Sequence, residues 1–408
     1  MSLIYHRPFA ADGAAPIGDE LSADQPVMHA LIIGVGRFPN LPPARNADRK
    51  TCADSARAII EFLMEQASAR NFQVPLASVE CLVSDPGIDL GGQDLVSRCH
   101  PTRDPRVNEN VDPGTMANVD AACDAWLTRC RPIDTGIGFK GDHLLLYICS
   151  HGVAGRDEGA LAVMEDIKTE GFKRWTQLLN IGSMARHIPA ATDAGAVWLF
   201  LDACQEVLNE LTEMVDGVNA HEPARANISQ MAKCKVTSLA LAGSNFGDFA
   251  HAPAGGGIAY FTEALIDGLS NSCVENTPDG WVSTAKEIPG GVVKVAKSAY
   301  GKNVHTEILK APSYDQQFLR VGAPRIPVDV TSSPSGILQS ASKAAVIHSE
   351  TRDELFIRDI ADTEETWRLR VNPGGSLDIE ITSPIRPAPY TARVMAIPPA
   401  QSVEVSDE

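Results

Sequence analysis

Two stretches decide the fold of this chain. One is Asp142-His143-Leu144-Leu145-Leu146-Tyr147-Ile148-Cys149-Ser150-His151-Gly152; the other is Ala196-Val197-Trp198-Leu199-Phe200-Leu201-Asp202-Ala203-Cys204. Each is strand-length and apolar at successive rather than alternate positions, the pattern of a strand buried on both faces. Each ends in a reactive side chain. Similar runs occur at residues 29–35 (HALIIGV), 79–83 (VECLV) and 236–242 (VTSLALA).

Amphipathic stretches separate these runs. Residues 48–67 place Ala53, Ala56, Ile59, Ile60, Leu63 and Met64 on one helical face. Residues 115–129 do the same with Val119, Ala122, Trp126 and Leu127, and Thr115 stands where a cap belongs. Further helices are expected at 175–186, 260–270 and 284–299, and a short strand at 160–164. Residues 84–113, rich in Asp, Pro, Gly and Asn, read as a long connection. The alternation predicts an α/β domain: a mainly parallel sheet with helices on both faces.

Working outward, residues 1–25 read as a flexible lead-in and 26–322 as the α/β domain. Beyond it the pattern changes to short alternating segments at 344–348, 354–357, 366–371, 376–381 and 390–396, with a turn signal at Asn372-Pro373-Gly374-Gly375. Residues 323–400 are therefore expected to form a small all-β, sandwich-like domain, with an acidic tail at 401–408.

Composition excludes several classes. The 408 residues carry 35 basic and 52 acidic side chains, a formal charge of −17, and show no basic stripe. Such a surface repels phosphate backbones and anionic lipid, so neither nucleic acid nor membrane is expected as a partner. No apolar run reaches the roughly 18 residues that span a bilayer, and the N-terminal residues lack a signal-peptide pattern. The nine cysteines (52, 81, 99, 123, 130, 149, 204, 234 and 273) form no CxxC pair. Their scatter fits buried free thiols in a reducing, cytoplasmic compartment. Gly34 and Gly36 follow a strand, but the third glycine and immediate helix of a dinucleotide loop are missing. His100, His187, His221 and His251 have no metal-ligand spacing and read as surface residues.

The chemistry sits at the strand ends. Ligands of open α/β sheets bind beyond the carboxyl ends of strands. If the two quoted strands are parallel neighbours, His151 and Cys204 face one crevice. A thiol needs an adjacent base to become a nucleophile, and attack on a carbonyl needs donors for the oxyanion. The amides of Gly152, which has no side chain, and of Cys204 are the candidate donors. A lone His-Gly, or a Cys after an apolar strand, carries little alone, since the latter is commonly a buried packer. The conjunction, in the order His then Cys and roughly 50 positions apart, carries more.

On these residues the chain resembles the clan of caspases, metacaspases and gingipains, most closely bacterial caspase-like peptidases. DHLLLYICSHG (142–152) is similar to the clan's strand-plus-His motif and LFLDAC (199–204) to its strand-plus-Cys motif. The first strand and its helix (29–35 and Cys52-Ala53-Asp54-Ser55-Ala56) resemble the clan's opening elements. Ala242-Gly243-Ser244, followed by GGGIAYFTEAL (255–265), resembles the segment after the nucleophile. The likeness covers about residues 27–320. It departs after Cys204, where Gln205-Glu206 replaces the His-Ser-Gly common in metacaspases and the Arg-Gly of caspases.

The resemblance implies a cysteine endopeptidase acting on protein or peptide substrates by regulated proteolysis, as in bacterial defence or programmed cell death. The Asp two positions before the nucleophile, Asp202, would pair with a P1 Arg or Lys. Asp54 and Asp248 are further candidates for that S1 pocket, and the bland alternative for Asp202 is a strand-end carboxylate capping backbone amides. Clan members are often cut after the nucleophile, and Arg225, Lys233 and Lys235 are candidate autoprocessing sites in a segment equally readable as a surface loop. No organic cofactor or metal is implied, although the metacaspase branch often needs calcium, here without an assigned residue. The β domain is a candidate surface for a regulatory protein. The rival readings are a catalytically silent scaffold and another thiol amidohydrolase.

Overall fold

The computed structural model describes residues 3–10, 20–41, 48–86, 111–155, 159–170, 174–205, 219–221, 237–253, 256–278, 280–300, 306–312, 315–322, 324–333, 336–339, 341, 343–349, 354–359, 366–383, 386–398 and 401–406. In chain order the elements begin β1 (Leu3–His6), β2 (Met28–Val35), α1 (Lys50–Ser68), β3 (Leu76–Ser84), α2 (Met116–Arg129), β4 (His143–Cys149), β5 (Gly152–Gly155), β6 (Gly159–Glu170) and β7 (Arg174–Asn180). They continue with α3 (Ile181–Thr192), β8 (Ala196–Asp202), β9 (Asn219–His221), β10 (Thr237–Ala242), α4 (Tyr260–Asp267), a π-helical turn (Gly268–Ser272), β11 (Val274–Thr277), β12 (Gly280–Thr284) and α5 (Glu287–Tyr300). The remainder is β13 (Glu307–Lys310), β14 (Gln317–Val321), β15 (Ile326–Ser333), α6 (Gly336–Gln339), β16 (Lys343–His348), β17 (Glu354–Asp359), β18 (Thr366–Val371), β19 (Ser376–Ser383), β20 (Arg386–Met395) and β21 (Gln401–Ser406). Two compact units result, Met1–Ile266 with Val304–Phe318, and Asp267–Asn303 with Leu319–Glu408.

The first unit is built on a seven-stranded sheet in the order β1-β3-β2-β4-β8-β10-β13. The central five strands are parallel and the two edge strands antiparallel. Strands β2, β3, β4 and β8 are buried at every position, as their unbroken apolar sequence predicts. Burial on both faces needs helices on both sides. On one side Leu31, Ile33, Leu144, Leu146, Val197 and Leu199 share a core with Val119 and Trp126 of α2 and Met184 and Ile188 of α3. The Trp126 indole N–H is satisfied there by the His29 carbonyl, 2.9 Å away. On the other side α1 crosses so closely over Gly34 that a Cβ at that position would lie 2.6 Å from the Ala56 methyl. Thr115 caps α2, accepting from the Asn118 amide at 3.4 Å.

The chain leaves β4 through His151 into a small sheet of order β5-β6-β7-β9. Residues 175–186, expected to be one helix, are instead the end of β7 followed by the start of α3. Trp175, Leu178 and Leu179 mimic the i, i+3, i+4 spacing of a helix. Gln177, however, has φ of 69°, which no helix continues through, and Asn180 caps the true helix by accepting from the Ser183 amide at 2.8 Å.

In the second unit, β18-β15-β21 and β17-β16-β19-β20 form two sheets whose apolar residues, among them Val328, Val330, Trp367, Val346, Ile379 and Ile381, share one core. Their pairings are antiparallel except for β15 with β21. Residues 267–303, expected within the α/β domain, belong to this unit. Two terminal expectations are corrected. Within the presumed lead-in, β1 adds an antiparallel edge to β3. Within the presumed acidic tail, β21 pairs along β15, and Val405 is fully buried. Both pairings are between segments remote in sequence, which short polar-flanked runs do not announce.

Candidate active site

Strands β4 and β8 are parallel neighbours with Cys149 opposite Asp202. Continuing that register beyond the strands brings His151 and Cys204 onto adjacent loops at the carboxyl edge of the sheet. The closeness of the loops is visible at Gly152: a Cβ there would stand 2.1 Å from the Cys204 carbonyl oxygen and 2.7 Å from the Ala203 methyl. Only glycine fits, and the tight contact is with the backbone of Cys204.

His151 is held from two sides. Its carbonyl accepts from the Val163 N–H of β6 at 2.8 Å, and its ring lies against Phe38, with centroids 4.6 Å apart. That backbone bond makes Gly152 and Ala162, which face each other in the β5–β6 register, a pair without mutual hydrogen bonds. The Gly152 N–H therefore points away from β6. The Cys204 N–H has no acceptor among the described residues. The two amides expected to serve an oxyanion thus both remain available.

Cys204 is half-buried. Burial raises its thiol above the ordinary value of 9.0; the Ala250 N–H, 3.3 Å from Sγ, opposes the rise, Asp202 and Cys52 add to it, and Arg49 opposes it. A thiol raised in this way depends the more on a neighbouring base to become a nucleophile, and His151 stands on the adjacent loop.

The three candidate S1 carboxylates have different surroundings. Asp202, 2% exposed, accepts from the Thr262 hydroxyl at 2.5 Å and from the Thr262 amide at 3.2 Å. Burial pushes its carboxyl up to about 6 against the pull of those bonds. Thr262 also meets the Tyr147 hydroxyl at 2.5 Å, so these three buried groups satisfy one another. Asp54, in the first turns of α1, is committed to Arg57 at 2.8 Å and to the Gly257 amide at 3.3 Å. Asp248 is half-exposed and its carboxylate has no partner among the described residues. It sits on the loop 243–250, flanked by the exposed rings of Phe246 and Phe249, and that loop reaches the Cys204 sulfur through Ala250. Arg225, Lys233 and Lys235 lie outside the described residues, as does His100.

Three contributors were not legible as such. Ala250 acts through its backbone N–H, which has no sequence signature. Phe38 lies just beyond β2, where nothing in the sequence marks a ring that packs against an imidazole. Gln205 stood out only by departing from the pattern of related motifs, yet its buried side chain ties the 243–250 loop to β13. Among the described residues no group of three or more His, Cys, Asp or Glu is arranged to hold a metal ion, so calcium gains no site there. No helix among them is long and apolar enough to cross a membrane.

No protein-family model matches the chain. It is similar to an uncharacterized protein, y4kE, of Sinorhizobium fredii (strain NBRC 101917 / NGR234), 26% identical over 171 residues, which are 41% of this chain and 44% of that protein. The chain thus spans less than half the length of that relative.

Proposed function

We propose that the chain is a caspase/metacaspase-like cysteine endopeptidase. The carrying observation is the packing of Gly152 onto the Cys204 carbonyl at the ends of two parallel strands, which supports reading His151 and Cys204 as one catalytic pair. His151 accepts the thiol proton as Cys204 Sγ attacks the scissile carbonyl, and the amides of Gly152 and Cys204 hold the oxyanion. The same imidazole returns the proton to the leaving amine, and water then hydrolyses the thioester. No other group is needed for the electron balance.

For selectivity after Arg or Lys, Asp248 is favoured over Asp202 and Asp54. A guanidinium is best met by a carboxylate that is ionised, accessible and not already bonded. Asp202 is buried with its carboxyl raised to about 6, and Asp54 is engaged with Arg57. We extend the proposal to a reducing cytoplasmic setting, which preserves the thiol, and to regulated proteolysis, with the C-terminal sheets as a surface for a regulatory protein.

Labelling tests the pair. A peptidyl chloromethylketone with Arg at P1 is expected to alkylate Cys204 selectively, seen by peptide mass spectrometry, and to label H151A much more slowly. Equal labelling of wild type and H151A would remove His151 from the mechanism.

A further inference from the structure

The residue after the nucleophile, Gln205, is tied in at four points. Gln205 is 1% exposed. Its backbone N–H donates to the Asp248 carbonyl at 2.9 Å, and its own carbonyl accepts from the Gly247 N–H at 2.8 Å. Its side-chain nitrogen donates to the Ser244 carbonyl at 2.5 Å and to Glu307 Oε2 at 2.9 Å. Two further bonds run alongside: the Ser244 hydroxyl to the Ala203 carbonyl at 2.8 Å, and the Gly243 N–H to the Leu201 carbonyl at 2.8 Å. The loop 243–250 is thus laced to 201–205 along most of its length, and its last residue places the Ala250 N–H on Cys204 Sγ.

The chemistry of the position is specific. One nitrogen must serve a carbonyl and a carboxylate at once, inside the protein. A primary amide has two N–H groups on that atom and no charge. A carboxylate would face Glu307 and a carbonyl with no proton to offer, and an apolar side chain would leave the buried Ser244 carbonyl short of a donor, which is costly, and would release the half-buried Glu307.

We propose that Gln205 is a positioning residue that latches the 243–250 loop to edge strand β13 through Glu307, holding the Ala250 N–H on the nucleophile's sulfur and Asp248 beside it. The inference rests on Cys204 being the nucleophile, but its test does not require peptide cleavage. The groups that act on the Cys204 thiol are Asp202, Cys52 and Arg49, with His151 on the adjacent loop, and none of them is altered in the test.

The experiment follows alkylation of Cys204 by iodoacetamide in the full chain, by peptide mass spectrometry, between pH 7 and 11.5. Wild type, Q205E, Q205A, E307Q and Q205E/E307Q are compared, with melting curves to establish folding. Q205E is expected to move the midpoint upward by about one unit, roughly tenfold less thiolate at neutral pH. Q205A, which brings no charge into the site, shifts the same way. E307Q keeps an acceptor for Gln205 and stays near wild type. Q205E/E307Q, which restores a donor–acceptor pair with roles exchanged, recovers part of the shift. Folded Q205A and Q205E with the wild-type midpoint would overturn the latch, as would a double variant no better than Q205E. Should wild type show the expected profiles but cleave no peptide, the endopeptidase reading falls while the latch stands.

Discussion

Asp202 shows how burial sets a residue's role. Its carboxyl, raised from 3.8 to about 6 chiefly by desolvation, holds a proton in the folded state that the unfolded chain has already released between those values. Stability from this group therefore falls as pH rises through that window, by about 3 kcal/mol in all. Asp202→Asn keeps an oxygen acceptor for Thr262 and removes the titration. Urea denaturation is expected to show the variant gaining on wild type between pH 4 and pH 7; an unchanged difference at the two pH values would contradict this. At the opposite edge of the sheet, just before β4, Asp142 behaves the other way. Burial works to raise its carboxyl, but His29, 3.8 Å away, and bonds from Arg131 and Val27 outweigh it and hold it at about 2. Its stabilisation is present above pH 3.8 and lost as pH falls toward 2. At this scale the positions of His151 and Cys204 at neighbouring strand ends were legible because both follow unmistakable strands. The environment of each aspartate was not, because burial and hydrogen-bond partners come from α4 and from loops far along the chain.

Among elements, the strands at 29–35, 143–149 and 196–202 could be read directly, since an unbroken apolar run bounded by polar residues has few other uses. The 174–192 stretch could not, because a strand with a left-handed residue and a following helix together imitate one helical stripe. Among the described glycines, Gly152 at the junction between β4 and β5 is the most tightly enclosed. Gly152→Ala places a methyl 2.1 Å from the Cys204 carbonyl, an overlap relieved only by moving backbone. Such overpacking costs about 1–3 kcal/mol of stability, and the proposed oxyanion donors move with it. Thermal melting should fall by several degrees and peptide cleavage by at least tenfold. A variant with wild-type melting would mean that the two loops are not apposed. At the other end of the chain, Val405→Ala in β21 is expected to destabilise the second unit by roughly 2 kcal/mol, whereas no change in its unfolding would return 401–406 to the status of a tail.

Over the whole molecule, a mainly parallel sheet presents its carboxyl edge as the candidate site, and every residue proposed for function gathers there: His151 and Gly152 after β4, Cys204 and Gln205 after β8, and the 243–250 loop after β10. The second unit has its own apolar core, and its sandwich was foreshadowed by alternating segments and turn signals in the sequence. Its first part, residues 267–303, was not, because a helix flanked by short strands there continues the α/β pattern of the preceding chain. The central claim is that this edge hydrolyses peptide bonds through Cys204. The most direct measurement is cleavage of a small peptide library varied only at P1, with wild type and Cys204→Ala side by side. On that claim, cleavage after Arg and Lys that disappears in the variant is expected. No cleavage by wild type, even with calcium and after limited proteolysis, or cleavage that persists in Cys204→Ala, would contradict it.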